Sequence, residues 1–549
     1  MDFKKLLAGG LVAAMSVSTL SGCATTSSGG AESLTINTTT EPPELNSVLT
    51  TSSGSMDVLR QCMDGLVILD ANNEAQPGAA ASWDQVANDD GTVTYTFHMQ
   101  EDGVWSNGTP VTAADFEFAL DLLFNPAYGA AYAGTWAPYF VGAEDMMAAL
   151  NADTGALDQA AYDAALASKG WDAVDDKTFT ITTTSSYPFF IKLLAFVNFL
   201  PVNQAFYEEV GADNYAKDAD KLIYNGAFNI TEWQHEDHIT FAKSDTYWDA
   251  DAINLKGATF RMIKDDNTSK NEFVAGNLDE TPVSGEVASQ LKEQGYDILN
   301  YSDGSSWYLE FNCNVPGTNN AKVRKALTLG VDAQSFIDNI VQNESVVATS
   351  FTPAAIANGE FKELVGDLTV RSTDYTEAKA LLEEGLAEEG MTVADLKLVM
   401  IADDTTTAQK YATFVQEQLK TNLGVQITIN SMPYKSRIAA MQSGDFSLVF
   451  AGWGPDYDDP MTFLDLFYST SGNNHGGYAS TQYDALVDAA KAELDVDARN
   501  DIMVQIEQLI ATDYPIGVIY QRSVSYVQTD AAEGLVRKAF NDINIRYVK

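Results

Sequence analysis

The stretch Ala451-Gly452-Trp453-Gly454-Pro455-Asp456-Tyr457-Asp458-Asp459-Pro460 concentrates residue types able to meet a ligand. Asp456, Asp458 and Asp459 offer acceptors for a cation, and a pair of them has the chemistry of a glycosidase acid and base, although the sequence gives no separation between them. Trp453 adds a large rigid face, while Gly452 and Gly454 let backbone approach closely and turn sharply. The same composition also makes an ordinary solvated turn. Other catalytic signatures are missing: there is no glycine-rich phosphate loop ending in Gly-Lys-Ser/Thr and no Gly-x-Ser-x-Gly elbow. Ser289-Gln290-Leu291-Lys292 spells Ser-x-x-Lys, a pattern chance supplies easily. His235 and His238 flank Glu236-Asp237 but lie between two strand patterns, which reads as a hairpin turn rather than a metal site. With 4 histidines in the chain, little acid–base or metal chemistry is on offer, and no metal or cofactor is expected.

The elements that must position this stretch follow from periodicity. Residues 446–450 form a short apolar run after Ser443-Gly444-Asp445 and read as a buried strand. The acidic stretch leaves its carboxyl end, where open α/β sheets bind ligands. Before it come a strand at 396–401, a helix at 408–423 capped by Gly424, a strand at 425–429 and a helix at 434–442. That alternation predicts parallel βαβ units. Near the N-terminus, residues 33–37 read as a strand leading into an extended, proline-stiffened segment, 38–46. A helix is expected at 57–62, an alternating strand at 93–99, and a capping box at Thr112-x-x-Asp115 opening a helix with Phe116, Leu120 and Leu123 on one face. Alanine-rich helical sequence fills 144–169. A strand at 176–181, a hairpin over 225–233 and 239–243, helices at 483–494 and 501–510 and a strand at 516–520 complete the outline.

Composition narrows the function classes. The chain has 549 residues, 45% hydrophobic and 20% charged, a globular composition long enough for several domains. Its 32 Lys and Arg against 77 Asp and Glu give a formal net charge of −45, with no basic run, which argues against nucleic acid. Met1-Asp2-Phe3-Lys4-Lys5 followed by apolar residues 6–20 has the layout of a secretion signal, and Leu20-Ser21-Gly22-Cys23 resembles a bacterial lipobox. Cleavage before Cys23 and its acylation would anchor the protein, with a small, polar tether following. No later stretch is long and apolar enough to span a bilayer. Cys62 and Cys313 are left open as paired or free.

Ala81-Ser82-Trp83, Asp89-Asp90-Gly91-Thr92-Val93-Thr94-Tyr95-Thr96-Phe97 and Trp105-Ser106-Asn107-Gly108-Thr109-Pro110 occur in order. Asn225-Gly226-Ala227-Phe228, Tyr247-Trp248-Asp249, Ala275-Gly276-Asn277-Leu278-Asp279, Tyr308-Leu309-Glu310-Phe311-Asn312 and Lys322-Val323-Arg324-Lys325-Ala326-Leu327 continue the series. This ordered set resembles the oligopeptide/dipeptide-type extracellular solute-binding proteins of ABC importers, over nearly the whole mature chain. The resemblance implies an α/β, two-lobed periplasmic-binding-protein-like fold (type II, cluster C) with an inserted subdomain and a hinge. Lobe I would comprise 33–54, 175–275 and 511–549, the inserted subdomain 55–174 and lobe II 276–510, after a signal peptide at 1–22 and a tether at 23–32. It implies capture of a peptide, not catalysis. Asp456 would take the ligand's amino group, Gly452, Gly454, Trp453 and Tyr457 would line the site, Thr40 and Glu41 would form an opposing backbone wall, and Asp459 would hold the loop. Asn225, Phe311 and Asn312 would lie near the crossover, as ligand contacts or as interlobe packing. The implied partners are a peptide, membrane permease and ATPase subunits, and the membrane through Cys23, for a monomer on the outer face of the plasma membrane or in the periplasm. A cello-oligosaccharide or nickel ligand on the same fold, a secreted carboxylate hydrolase and a surface adhesin remain the alternatives.

Overall fold

The computed structural model describes residues 32–549 apart from 151–154, 188 and 494. The segment expected to be a secretion signal and the expected lipidation site, Cys23, lie outside the described residues. Alternation over 93–99 produces the strand Val93–Met99, with Val93, Tyr95, Phe97 and Met99 all buried. It lies in a four-stranded antiparallel sheet ordered Ala80–Ala87, Val93–Met99, Thr178–Thr183, Trp171–Asp175. The helix Ala113–Leu123 covers this sheet through Phe116, Leu120 and Leu123. Its capping box forms as the sequence predicts: the Thr112 amide donates to Asp115 Oδ2 at 2.8 Å, and the Trp105 indole donates to the same oxygen at 3.2 Å.

The second sheet has 11 strands. One edge is the predicted βαβ region. Leu398–Asp403 pairs in parallel with both Ile427–Met432 and Leu448–Trp453. The helix Thr406–Leu423 links the first two, ending where Gly424 takes φ +76°, a left-handed conformation that costs glycine little. Next come two strands of 13 residues each, Leu299–Phe311 and Ile516–Gln528, antiparallel to one another. Their ladder is interrupted by register shifts between Ser302 and Ser306 and between Trp307 and Tyr308. Glu280–Pro282, Leu34–Asn37, Gly257–Arg261 and the hairpin His238–Lys243 and Phe228–Gln234 complete the order, and the short Val346–Val347, off this path, pairs with Ile516–Gln528 as the eleventh.

Three differences from the sequence reading have local causes. The strand expected at 446–450 is Leu448–Trp453, so Gly452 and Trp453 belong to the ladder, opposite Trp307 and Ser306. A Cβ on Gly452 would stand 2.5 Å from the Trp307 indole, so this glycine serves close packing within a strand and not a turn. The alanine-rich 144–169 region is two helices, Ala143–Ala148 and Gln159–Leu166, because Gly155 turns with φ +65° and Asp158 caps the second helix by accepting from the amides of Ala160 and Ala161. The helix expected at 57–62 begins earlier, at Ser53, on the Ser52 cap. Cys62 and Cys313 are both free. Among the described residues no helix is long and apolar enough to cross a membrane.

Candidate functional site

The strand Leu448–Trp453 delivers its last residues to a cavity of about 570 Å³. That volume is in the ~300–1,000 Å³ range usual for small-molecule sites. Gly452, Trp453, Gly454, Pro455 and Asp456 form one part of its wall. Thr38, Thr39 and Thr40, leaving the strand Leu34–Asn37, form another, and Tyr132 and Phe196 a third. The Thr38–Thr40 backbone is set by the Thr38 amide donating to the Arg261 carbonyl at 2.8 Å and by Thr39 adopting φ +64°.

Asp456 is half-buried. Its Oδ1 accepts from the Tyr132 hydroxyl at 3.3 Å, and its amide donates to Thr462 Oγ1 at 2.8 Å. Burial pushes its carboxyl well above the usual carboxylate range; the Tyr132 hydroxyl works against that shift, the negative charge of Asp465 adds to it, and no cation is among the groups acting on it. Chemically this is an acceptor poised for a ligand cation, because a desolvated carboxylate gains most from a partner carrying both charge and donors. The Trp453 ring lies 6.1 Å from that of Tyr132, which stacks on Trp136 at 5.3 Å with planes 3° apart.

The loop carrying Asp456 is fixed from behind. Arg499 grips Asp459 with both terminal nitrogens, at 2.7 and 2.9 Å. Asp459 Oδ1 also accepts from the Met461 amide at 2.9 Å. Tyr457 turns away from the cavity: it is buried, its ring 4.9 Å from Phe189 and its hydroxyl 3.4 Å from that of Tyr139. The tyrosine expected to line the site instead anchors its loop.

Four other expected residues also lie off the cavity wall. Glu41 spends its carboxylate on the hairpin 228–243, accepting from Trp233 Nε1 and the Glu236 amide, both at 3.2 Å, and pairing with His235. Asn225 is buried and brackets Asp64, accepting from its amide at 3.0 Å and donating to its carbonyl at 2.9 Å. Phe311 is fully buried in the core beneath the βαβ region, because alternation along its strand points it away from the cavity. Asn312 donates to the carbonyls of Gly444 and Phe446 at 2.9 and 3.1 Å, tying two strand ends together.

The cavity also has members the sequence reading did not single out: Tyr132, Trp307, Arg437 and Arg522. Arg522 donates to Asp303 Oδ2 at 2.6 Å and sits 4.7 Å over the Trp307 ring. Arg437 donates to Asp403 Oδ1 at 2.7 Å and lies 5.1 Å from the Tyr434 ring. One signal was available, since Arg522 is the single charged residue in the 13-residue strand Ile516–Gln528.

Buried carboxyls close to the cavity give a pH dependence with a definite sign. Burial raises Glu280 to about 7 against the pull of Arg537, and raises Asp465 to about 6 against the pull of Lys491. The folded protein therefore holds protons that the unfolded chain releases between the ordinary carboxylate range and about pH 7, so these groups lose their stabilising contribution as pH rises through that window. The expected result is a flatter dependence of melting temperature on pH between 5 and 8 for Glu280→Gln than for wild type, measured by calorimetry. Parallel curves would assign no such role to Glu280.

The model of the bacterial extracellular solute-binding proteins, family 5 Middle, matches residues 74–475. The oligopeptide-binding protein OppA of Bacillus subtilis is 32% identical over 94% of this chain and 92% of its own length. OppA of Listeria monocytogenes, solved bound to peptide, superposes with a TM-score of 0.85 at 29% identity, over 94% of this chain and 98% of its own. Two structures of the murein tripeptide-binding protein MppA, one of them from Escherichia coli, are both 25% identical. One, covering 94% of this chain and 98% of its own, gives a TM-score of 0.82; the unliganded open form, covering 95% and 98%, gives 0.58. The fold is the two-lobed α/β architecture of these binding proteins.

Proposed function

Since the chain belongs to the bacterial extracellular solute-binding proteins of family 5, we propose that it is the substrate-binding component of an ABC importer and captures peptides in the cavity between its lobes. The observation that carries this reading is Asp456: a desolvated carboxylate with no cation acting on it among the described residues, beside Trp453, on the wall of a cavity large enough for a short peptide. Asp456 receives the peptide's ammonium. The backbones of Gly452–Gly454 and Thr38–Thr40 flank the peptide main chain, whose amides and carbonyls pair in the manner of an added strand. Arg437 and Arg522 are neutralised by Asp403 and Asp303, so neither presents a bare charge to a ligand carboxylate.

The hinge lies at the register break of the two long strands, where 302–306 faces 521–523, which carries lobe I to about 302 and lobe II to about 521 in place of the expected 275 and 510; the inserted subdomain runs on past 174, because Thr178–Thr183 pairs with both Val93–Met99 and Trp171–Asp175. The two strands pair with one another on both sides of the break, but Leu299–Phe311 meets Leu448–Trp453 only from Ser306 on and Ile516–Gln528 meets Glu280–Pro282 only from Tyr526 on, so rotation at the break opens the cavity without unravelling the ladders on either side. Lipidated Cys23 holds the protein, a monomer, to the outer face of the membrane beside its permease. No step of catalysis is assigned to it.

Native mass spectrometry of the purified protein, followed by calorimetry with tri- and tetrapeptides, tests the reading. One peptide per chain, recovered uncleaved, is the expected result. Binding of a cello-oligosaccharide or a nickel complex in place of any peptide would overturn the peptide assignment, and turnover would replace it with a hydrolase.

A further inference from the structure

We propose that Glu310, Asn473 and His475 form a second polar subsite of the same cavity, which takes the cationic side chain of a lysine or arginine in the bound peptide; the proposal rests on the peptide reading above. Alternation along the strand Leu299–Phe311 puts Leu309 and Phe311 into the core and turns Tyr308 and Glu310 to the other face, where both line the cavity. Glu310 is 2% exposed, and its Oε1 accepts from the Gly476 amide at 3.0 Å. Among the described residues the nearest cation-forming group, His475 Nδ1, stands 3.7 Å off, beyond hydrogen-bond length.

Asn473 supplies the independent observation. It lines the cavity and is 5% exposed, yet neither its Oδ1 nor its Nδ2 has a hydrogen-bond partner among the described residues. Buried amides are normally paired, so an orphaned one on a cavity wall points to a partner that arrives from outside. The loop that carries it is not loosely placed. Gly472 packs on Ala131, where a Cβ would come within 2.8 Å of the carbonyl, and the Cys313 amide donates to the Gly476 carbonyl at 2.8 Å. Asn474 Nδ2 donates to the Tyr478 carbonyl at 2.7 Å and its Oδ1 accepts from the Tyr478 amide at 3.0 Å. The contact with Ala131 also ties this loop to the segment bearing Tyr132, and so to Asp456.

The chemistry selects a cation. Lysine carries three donors and no acceptor, which suits the Glu310 carboxylate and Asn473 Oδ1 together, leaving Asn473 Nδ2 for a peptide carbonyl. Met441, Leu466 and Phe467 line the adjoining wall and suit the methylene stem. The formal net charge of −45 draws cationic peptides and repels acidic ones.

Calorimetry with alanine tripeptides carrying lysine or norleucine at the first, second or third position tests this. In the wild type, lysine is expected to bind at least tenfold tighter than norleucine at one position, and the ratio is expected to fall below threefold in both Glu310→Gln and Asn473→Leu. The ratio is read within each protein, so a general loss of folding or closure does not imitate the result. Ratios within twofold at every position in the wild type, or a tenfold preference that survives in both variants, would overturn the subsite while leaving the peptide reading intact. Failure of every tripeptide to bind would overturn both.

Discussion

Replacing Asp456 with asparagine is expected to raise the Kd of free-amine peptides by about a hundredfold or more and to leave their N-acetylated counterparts nearly unchanged. Breaking a buried charge pair by removing one partner costs roughly 3–5 kcal/mol, because the other charge is left desolvated, and a hundredfold corresponds to about 2.7 kcal/mol. Asparagine keeps the size of the side chain and an oxygen to accept from the Tyr132 hydroxyl at 3.3 Å, so the loop has no reason to move. The Asp459–Arg499 grip and the buried Tyr457 hold it independently. Acetylation removes the ammonium, and with it the reason the carboxylate matters. Isothermal calorimetry on matched peptide pairs reads the difference directly, and an equal loss for both members of a pair would remove Asp456 from the role. A pH series adds a second check. Burial holds the carboxyl well above its ordinary range, and only its ionised form pairs with an ammonium. Wild-type affinity for free-amine peptides should therefore decline on acidification sooner than an ordinary aspartate allows, and the variant should lack that decline.

Local signals were legible wherever a single segment carries them. The capping box at Thr112 and Asp115, the left-handed Gly424 and the order of strands and helices from 398 to 453 all depend on neighbours in sequence. Asp456 and Trp453 stand out for the same reason, as parts of one contiguous stretch. What sits opposite them does not: Tyr132 lies 324 residues from Asp456, and nothing in its alanine- and glycine-rich surroundings announces a cavity wall. Phe311 and Asn312 show a different limit. They belong to a recognisable stretch, yet alternation sends Phe311 into the core and Asn312 caps two strand ends. Their neighbour Glu310, on the opposite face of the strand, is the one that reaches the cavity. A motif reports that a residue type is needed, whereas the face it occupies is decided by strand register, which depends on partners far away in the chain.

Asn225 leads to the second large effect, because the peptide it brackets belongs to Asp64, whose side chain meets Arg546. Arg546 also donates to Asp64 Oδ2 at 3.4 Å and to the Tyr247 hydroxyl, which in turn donates to Asp64 at 2.7 Å. The side chains of Asp64 and Arg546 are 1% and 8% exposed. This buried junction fastens the end of the chain to the turn after the helix Ser53–Cys62, across 482 residues. Arg546→Met is expected to lower unfolding stability by about 3–5 kcal/mol, since Asp64 stays buried without its cation. Urea denaturation of ligand-free protein measures it, ligand being removed because binding alone stabilises the folded state. The pair Asp64→Leu with Arg546→Met should recover much of the loss, because no charge then remains to be desolvated and the volumes are roughly kept. A single variant within about 1 kcal/mol of wild type, or a double variant that loses the sum of the two singles, would mean that the junction is solvated and that the chain end is held by packing alone. Recovery in the double variant would separate the electrostatic cost of one orphaned charge from the attachment itself, and would show that the terminal segment needs a matched pair there and not a charge as such.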